Sequence, residues 1–314
     1  MKNKSFRVLS IFDGIGGARQ ALKELNIDCK YYASEIDKYA IQVANANHLD
    51  IEQLGDVKEV KGFNDIDLLI GGSPCQDLSI AKKDREGLEG KRSGLFYEYI
   101  RILSETKAKY FILENVASMS KASKDIITKE LFDIEPVMIN SSLLGAQNRK
   151  RYYWVGKLVD GKYRQVKIEQ PEDKKIYLKD IIEEGFVDRS KSYCIHANYH
   201  KGGNRKSYFE KGRRQLVFDK PVRIGQLNKD CQSGRIYSID GKSVCLNAGG
   251  GGGGAKTGLY EFKDGIRKLT VTECERLQGF PDHYVSIVSN TQGYKALGNS
   301  FTVPVIKHIL KHIF

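Results

Sequence analysis

Near its start the chain reads Phe6-Arg-Val-Leu-Ser-Ile11, then Phe12-Asp-Gly-Ile-Gly-Gly17, then Ala18-Arg-Gln-Ala-Leu22. The first stretch is short and apolar, as a buried strand is, and the third repeats its apolar residues at helical spacing. The glycines between them let the backbone turn sharply and pass close to a ligand where the helix begins. Strand, glycine loop and helix in this order predict the first unit of an α/β fold, with a ligand site at the carboxyl end of the strand.

The same alternation continues through the first half of the chain. Strand-like runs at Tyr31 to Ser34, Ile66 to Ile70 and Tyr110 to Glu114 are separated by helical patterns around Ile41 and from Leu95 to Leu103. Strands and helices that take turns at this spacing predict a mainly parallel sheet with helices on both faces. We therefore expect an α/β, Rossmann-like fold.

The composition changes after about Tyr153. Residues 156–265 are rich in Lys, Arg, Tyr, Asn and Gly and show no convincing helix, which predicts a smaller inserted domain. Beyond it, Thr270-Val-Thr-Glu273 fits a helix capping box, and Pro304 opens a final helix whose apolar stripe needs a core. The expected division is 1–155 for the main domain, 156–290 for the small domain with its docking segment, and 291–314 for a tail that returns to the main domain.

The net charge and the length of the apolar runs also limit the partners and the cellular location that we expect for this protein. The 314 residues include 51 Lys and Arg against 39 Asp and Glu, a formal net charge of +12, and 40% are hydrophobic. An excess of positive charge favours a phosphate backbone as partner, with acidic lipid second. No apolar run reaches the roughly 18–20 residues of a membrane span, and Asp13 breaks the first apolar stretch too early for a secretory signal. We expect a cytosolic protein without a membrane partner.

The cysteines are scattered along the chain with no close pair. This spacing argues against a structural zinc site or a disulfide framework, so we expect no metal. A cysteine with a function would act alone, as a thiolate. The six are Cys29, Cys75, Cys194, Cys231, Cys245 and Cys274.

Three consecutive strand ends carry groups that suit a nucleoside. The glycine loop follows the first strand, Glu35 follows the second, where an acid can bind two ribose hydroxyls, and Asp56 follows the next short run, placed to accept from an adenine amino group. The glycine loop alone is equally consistent with a plain tight turn. The third glycine of the dinucleotide fingerprint is missing, which favours a nucleoside without a pyrophosphate.

Two further strand ends carry reactive groups. Cys75 lies in Gly71-Gly-Ser-Pro-Cys75-Gln-Asp77 directly after one strand, and Glu114 ends the run Phe111-Ile-Leu-Glu114. If these strands are neighbours, thiol and carboxyl meet at one rim of the sheet, which suits nucleophilic attack assisted by a positioned acid. The alternatives are a buried structural thiol and a cap on the next helix. In Gln147-Asn-Arg149-Lys-Arg151, alternation along a strand would aim both guanidiniums into the cleft.

In order and spacing these motifs resemble the DNA (cytosine-5) methyltransferases, and the first half is especially similar to the catalytic domain of the vertebrate de novo enzymes. The resemblance extends to Arg267 to Pro281 and to Gly298-Asn299-Ser300, but residues 156–265 have no comparable match. It implies a Rossmann-like S-adenosylmethionine-dependent methyltransferase fold with a small inserted target-recognition domain. The substrate would be a cytosine in a specific short duplex DNA sequence, flipped out of the stack to reach the pocket.

The resemblance also implies a role for each motif. Cys75 would add to C6 of the cytosine while Glu114 protonates or hydrogen-bonds N3, and Arg151 would contact the base and orient Glu114. Arg149 would complete the catalytic set. The residues expected to bind S-adenosylmethionine are Phe12, Asp13, Gly14, Ile15, Gly16, Gly17, Glu35, Ile36, Asp56, Val57, Gly72, Pro74, Asn299 and Ser300. Asn299 and Ser300 are also consistent with a turn before Pro304.

Within the inserted region, Lys201 to Arg205 and Gly212 to Arg214 are candidate phosphate contacts, although surface solvation explains them equally well. The candidate base readers are Gln226, Asn228, Gln232 and Arg235. The segment Arg267 to Pro281 would dock this region onto the main domain.

Two other functions compete with DNA methylation. One branch of the family acts on RNA with the same cysteine, so a tRNA cytosine-5 methyltransferase is the first alternative. The second is a non-catalytic DNA- or partner-binding relative, which the joint presence of Cys75, Glu114, Arg151 and the cofactor acids disfavours. For the enzyme we expect a bacterial or phage origin, a place in the bacterial cytoplasm on DNA, and a monomer on DNA, with or without a companion restriction endonuclease.

Overall fold

The computed structural model describes residues 5–73, 94–183, 187–201, 208, 210–211, 214–218, 223–226, 235–237 and 266–314. At residues 218, 223–226, 235–237 and 266–268 only the backbone is described. Pro74 and Cys75 therefore lie outside the described residues.

A central sheet of eight strands forms the body of the molecule. The strands are β1 Phe6–Ile11, β2 Cys29–Ser34, β3 Ile51–Gln53, β4 Leu68–Gly72, β5 Tyr110–Val116, β6 Val137–Asn140, β7 Lys150–Val159 and β8 Lys162–Gln165. Their spatial order is β3-β2-β1-β4-β5-β7-β6, with β8 also paired to β7. Neighbours from β3 to β5 are parallel, as predicted, whereas β7 runs antiparallel to β5, β6 and β8. All five parallel strands end at the same edge.

Seven helices are described, and local sequence explains where several of them begin. Asp37 caps α2 by accepting from Tyr39 N at 3.0 Å, and Ser120 caps α4. The predicted capping box forms, since Thr270 Oγ1 accepts from Glu273 N at 3.1 Å and Glu273 Oε2 accepts from Thr270 N at 2.7 Å. The bounds are α1 Gly17–Glu24, α2 Lys38–Asn47, α3 Gly94–Thr106, α4 Lys121–Glu130, α5 Val271–Gln278, α6 Asn290–Asn299 and α7 Val303–Leu310.

Helices cover both faces of the sheet, which confirms the predicted α/β architecture. Alternate residues of β1 show this, because Val8 belongs to a buried cluster with residues of α1, α2 and α7, whereas Leu9 belongs to a second cluster with residues of α3 and α4. The final helix packs against α1, with Ile306 and Ile309 fully buried and Lys307 Nζ 2.6 Å from Glu24 Oε2 of α1.

The central sheet extends further along the chain than the expected boundary at residue 155. Strand β7 continues to Val159 and pairs with β8, which ends at Gln165. Past β8, two small sheets pair β9 Leu216–Phe218 with β12 Ile266–Lys268 and β10 Arg223–Gln226 with β11 Arg235–Tyr237, apart from the central sheet. No helix in the described ranges is long and apolar enough to cross a bilayer.

Candidate active site

The loop after β1 has an unusual backbone. Phe12 adopts φ +58, and Gly14 and Gly16 adopt φ +64 and +78. A left-handed conformation costs a residue with a side chain roughly 1–2 kcal/mol, so neighbouring contacts must hold Phe12 there. Apart from its two chain neighbours, no described residue has a heavy atom within 4 Å of the position that a β carbon on Gly14 would take. Within the part of the chain that the structure describes, the loop is therefore open on this side, at the end of the sheet.

Asp13 holds this loop in place through hydrogen bonds in the buried interior. Its side chain is buried, and Oδ1 accepts hydrogen bonds from Ser10 Oγ at 2.6 Å and Tyr31 OH at 2.7 Å. Burial raises the pKa of Asp13 from 3.8 to about 6, against the opposing effect of the two hydroxyl donors, and nearby Glu35 raises it further. Among the described residues Oδ2 has no hydrogen-bond partner. The side chain thus supports the loop and does not face its open side.

Glu35 binds the backbone of the same loop. Its carboxylate accepts from Gly14 N at 2.9 Å, from Ile36 N at 2.8 Å and from Asp37 N at 2.9 Å. A carboxylate has about four lone-pair sites, so one remains for a ligand hydroxyl. The side chain of Ile36 beside it is 73% exposed and offers an apolar surface. Acid, apolar surface and open glycine loop together fit a nucleoside such as that of S-adenosylmethionine.

The other residues predicted to bind the cofactor divide into two groups. Asp56 is exposed and accepts from Lys58 N at 3.0 Å, on a loop that Ser34 Oγ holds by donating to Gly55 O at 2.7 Å. Asn299 is exposed at the end of α6. In contrast, Ile15, Val57 and Ser300 are buried, so these side chains contribute to the core under the site.

Glu114 and Arg151 form an ion pair at the rim formed by β4 and β5. Arg151 Nε lies 2.8 Å from Glu114 Oε1, and both side chains are largely buried, at 16% and 13% exposed. Gly72 pairs in register with Glu114, and a β carbon on Gly72 would lie 3.0 Å from Glu114 Oε2. Neighbouring strands therefore bring the carboxylate next to the end of β4, three residues before Cys75 in the chain.

Arg149 lies apart from this pair. Its guanidinium is 5% exposed and donates to three backbone carbonyls, those of Ile195 at 3.1 Å, Gly298 at 3.3 Å and Ser300 at 3.0 Å. These carbonyls belong to the inserted region and to the tail. Arg149 therefore does not share the position of Arg151 as strand alternation predicted, because β7 begins at Lys150 and the alternation does not extend to Arg149.

Two residues at the rim were missed from the sequence. Asn115 Nδ2 donates to Ser73 Oγ at 3.2 Å, which ties the end of β5 to the end of β4. Phe301 lies against the end of β4 and the start of α1. Its ring would be 3.2 Å from a β carbon placed on Gly72, and its own β carbon would be 3.3 Å from a β carbon placed on Gly17. The only sequence signal for Phe301 is an aromatic residue directly after Gly298-Asn299-Ser300.

The candidate DNA contacts of the inserted region are only partly described. Lys201 is exposed, and Arg214 is half-buried. At Gln226 and Arg235 the backbone alone is described, and Arg205, Arg213, Asn228 and Gln232 lie outside the described residues.

The molecule has the features of an S-adenosylmethionine-dependent methyltransferase. These are the strand order of the sheet, the glycine loop after β1, the acids Glu35 and Asp56 after the following strands, and Glu114 in its ion pair with Arg151. A model of the C-5 cytosine-specific DNA methylase family matches residues 6–314. The chain belongs to this family, and it is a DNA cytosine-5 methyltransferase with S-adenosylmethionine as its methyl donor.

Similar proteins agree with this assignment. The chain is 31% identical over 324 residues to the Type II methyltransferase M.HhaI of Haemophilus parahaemolyticus, covering 98% of this chain and 94% of that one. It is also 31% identical over 332 residues to M.HpaII of Haemophilus parainfluenzae, covering 99% and 89%. Among solved structures, a DNMT2 mutant of Spodoptera frugiperda shares the fold with a TM-score of 0.65 at 22% identity, covering 99% and 100%. The Entamoeba histolytica methyltransferase EhMeth does so with a TM-score of 0.64 at 15% identity, covering 99% and 98%.

Proposed function

We propose that this enzyme methylates a cytosine flipped out of a specific short duplex DNA sequence, with Cys75 as nucleophile and Glu114, held by Arg151, at N3 of the base. The observation that carries the proposal is the ion pair of Glu114 and Arg151 at 2.8 Å, beside the end of β4, which precedes Cys75 by three residues in the sequence. The base must leave the stack because its reacting atoms are enclosed in the duplex.

Cys75, Glu114 and Arg151 each have a role in the proposed reaction. Cytosine C5 is a poor nucleophile, so the Cys75 thiolate adds to C6 while Glu114 protonates or hydrogen-bonds N3, which makes C5 electron-rich. Bound S-adenosylmethionine supplies the electrophilic methyl group. A base then takes the proton from C5, and β-elimination frees the Cys75 thiolate and restores the aromatic ring. Arg151 fixes the carboxylate of Glu114 and contacts the base.

For the cofactor we propose that Glu35 binds a ribose hydroxyl, that Asp56 binds the adenine amino group, and that Phe12 and Ile36 pack on the adenosine. The three backbone N–H groups on Glu35 support this proposal because they fix its carboxylate beside the open loop. Ser300 and Phe301 would form the floor at the methionine end, with Asn299 beside them.

The partners of the enzyme are a further part of the proposal. The bacterial relatives are named Type II methyltransferases, which supports a role in restriction and modification. We propose that the enzyme works on DNA in the bacterial cytoplasm, with or without a companion endonuclease. The net charge of +12 supports a basic DNA cleft between the rim and residues 156–265. We propose that the enzyme acts as a monomer, since one duplex site presents one flipped base at a time.

Transfer of tritiated methyl groups to duplex DNA and to tRNA, assayed side by side, tests the substrate. We expect incorporation into DNA only, and bisulfite sequencing of DNA from expressing cells should show methylation confined to one short sequence. Incorporation into tRNA alone would refute the proposed substrate. Binding to DNA should weaken steeply with salt, whereas turnover of the bound complex should not.

A further inference from the structure

Tyr284 contacts the Phe12 to Gly17 loop, called the cofactor loop below, from a distant part of the chain. It lies between α5 and α6, beyond the segment expected to dock the inserted region, yet its hydroxyl donates to the carbonyl of Ile15 at 2.9 Å. The same hydroxyl oxygen lies 3.0 Å from Nε2 of His48, just past the end of α2. Tyr284 and His48 are each 4% exposed. Three segments therefore meet in one buried hydrogen-bonded chain.

The protons in this chain have a fixed direction. The hydroxyl of Tyr284 has a single proton, which goes to Ile15 O, so Nε2 of His48 must carry a hydrogen and donate to Tyr284. Burial, together with the positive charges of Arg19 and Lys23, lowers the pKa of His48 to about 4, so the imidazole ring is neutral near pH 7. Burial also raises the pKa of Tyr284 well above its ordinary value, which keeps the hydroxyl protonated.

The bond to Ile15 falls between two glycines of the loop. Ile15 stands between Gly14 and Gly16, both in the left-handed region, which glycine adopts readily. Packing against this point is close, because a β carbon on Gly16 would lie 3.3 Å from His48 Cδ2 and 3.5 Å from the Tyr284 hydroxyl. The hydroxyl thus fixes the orientation of the peptide between Ile15 and Gly16.

Tyr284 is itself held firmly. Asn47 Nδ2 donates to its carbonyl at 2.9 Å, and Glu275 of α5 accepts from the backbone N–H groups of His283 and Val285 at 2.7 and 2.8 Å. The side chain therefore connects the loop to α5, on the side of the inserted region.

We propose that Tyr284 is a positioning residue for S-adenosylmethionine binding, which sets the conformation of the Phe12 to Gly17 loop through the carbonyl of Ile15. The proposal rests on the assignment of this loop to the cofactor. Tyr284 thereby affects the affinity for S-adenosylmethionine and does not act on the reacting groups Cys75 and Glu114.

The test compares Tyr284→Phe with Tyr294→Phe. Tyr294 is equally buried, at 4% exposed, and its hydroxyl donates to the carbonyl of Leu269 at 2.8 Å, so each change removes a bond from a hydroxyl to a backbone carbonyl. Tyr284→Phe also removes the acceptor of the His48 Nε2 hydrogen, and the His48 variants below address that bond. We expect Tyr284→Phe to raise KM and Kd for S-adenosylmethionine about fivefold to tenfold, the effect of losing the bond to the loop carbonyl, with kcat and KM for DNA nearly unchanged. Tyr294→Phe should leave the cofactor constants at their parent values. Unchanged cofactor constants in Tyr284→Phe, or equal changes in both variants, would overturn the proposal.

Two further variants separate this proposal from the assignment of the loop. Gly14→Val strains φ +64 and fills the open side, so it must weaken cofactor binding if the loop binds cofactor at all. Normal binding in Gly14→Val would refute the loop assignment, whereas weakened binding there with normal binding in Tyr284→Phe would refute only the role of Tyr284. His48→Gln, which supplies a donor, should bind S-adenosylmethionine better than His48→Leu.

Discussion

Arg151 pairs with Glu114 although the two residues are not opposite each other in the sheet. In the register of β5 and β7, Arg151 faces Val116 and Glu114 faces Tyr153. The arginine side chain therefore reaches forward along β7, toward the level of Tyr153, to place Nε 2.8 Å from Glu114 Oε1. In this diagonal arrangement the other carboxylate oxygen of Glu114 lies beside Gly72 at the end of β4, three residues before Cys75 in the sequence.

Glu114→Gln should lower kcat by about 10²- to 10⁴-fold, because the amide neither donates a carboxyl proton to N3 nor pairs with the Arg151 guanidinium. Tritiated methyl transfer at saturating DNA and S-adenosylmethionine measures this change. The matched control is Glu135→Gln, since Glu135 also forms an ion pair, with Lys124 at 3.0 Å, but is 62% exposed. Turnover near the parent level in Glu114→Gln would remove the residue from its proposed role.

Cys75→Ala should abolish methyl transfer while S-adenosylmethionine binding survives, because the thiolate acts on the base and not on the cofactor. Cofactor binding by calorimetry and methyl transfer are measured on the same preparation. Cys29→Ala is the control, since Cys29 is a free thiol at the start of β2, away from the rim. An alanine variant at position 75 that still transferred methyl groups would disprove the covalent mechanism.

Arg149→Met should lower the free energy of unfolding by about 3 kcal/mol, because it leaves buried carbonyls of Ile195, Gly298 and Ser300 without their charged donor. Arg149→Lys should recover only part of this loss, since an ammonium group lacks the planar fork. Urea unfolding measures both. Lys124→Met is the comparison, because Lys124 forms an ion pair of 3.0 Å with the exposed Glu135 and should cost less than about 1 kcal/mol. Equal losses at the two positions would contradict the linking role of Arg149.

The pH dependence of stability should reveal two opposing groups under the cofactor loop. The pKa of Asp13 is about 6 in the folded chain against 3.8 as an ordinary value, so the folded state binds more protons and the free energy of unfolding falls as pH rises through this window. The pKa of His48 is about 4 against 6.5, so for this group stability is lost as pH falls through the window. Each contribution amounts to at most about 3 kcal/mol.

Asp13→Asn should therefore leave a stability that rises with pH between about 4 and 6.5, and His48→Gln one that falls, each relative to the parent. Urea unfolding at several pH values in this range gives the slopes. Profiles of both variants parallel to that of the parent would show that neither group titrates as the structure indicates.

Much of the fold follows from local signals. The alternation from Phe6 to Glu114 predicts the parallel strands because each buried strand is a short apolar run, and the capping box at Thr270 predicts the start of α5. The antiparallel hairpin of β7 and β8 was not predicted. Its second strand is polar and exposed, and it lies on the sheet edge, so it resembles a loop in sequence.

The site was predictable where it depends on strand ends and not where it depends on distant contacts. Glu35 and Glu114 end apolar runs, so their place at one edge of a parallel sheet follows from the pattern. The partners of Arg149 are carbonyls of Ile195, Gly298 and Ser300, which leave no trace in the side-chain sequence. The special likeness to the vertebrate de novo enzymes, like the role of each site residue, stays a prediction.

Phe301 makes the site depend on a segment far away in the sequence. Its ring lies against the end of β4 and its β carbon against the start of α1, and it precedes α7, whose Ile306 and Ile309 are fully buried. A substitution that loosens the packing of α7 should therefore disturb the Phe12 to Gly17 loop and the Glu114 rim together, although α7 contains no residue of either.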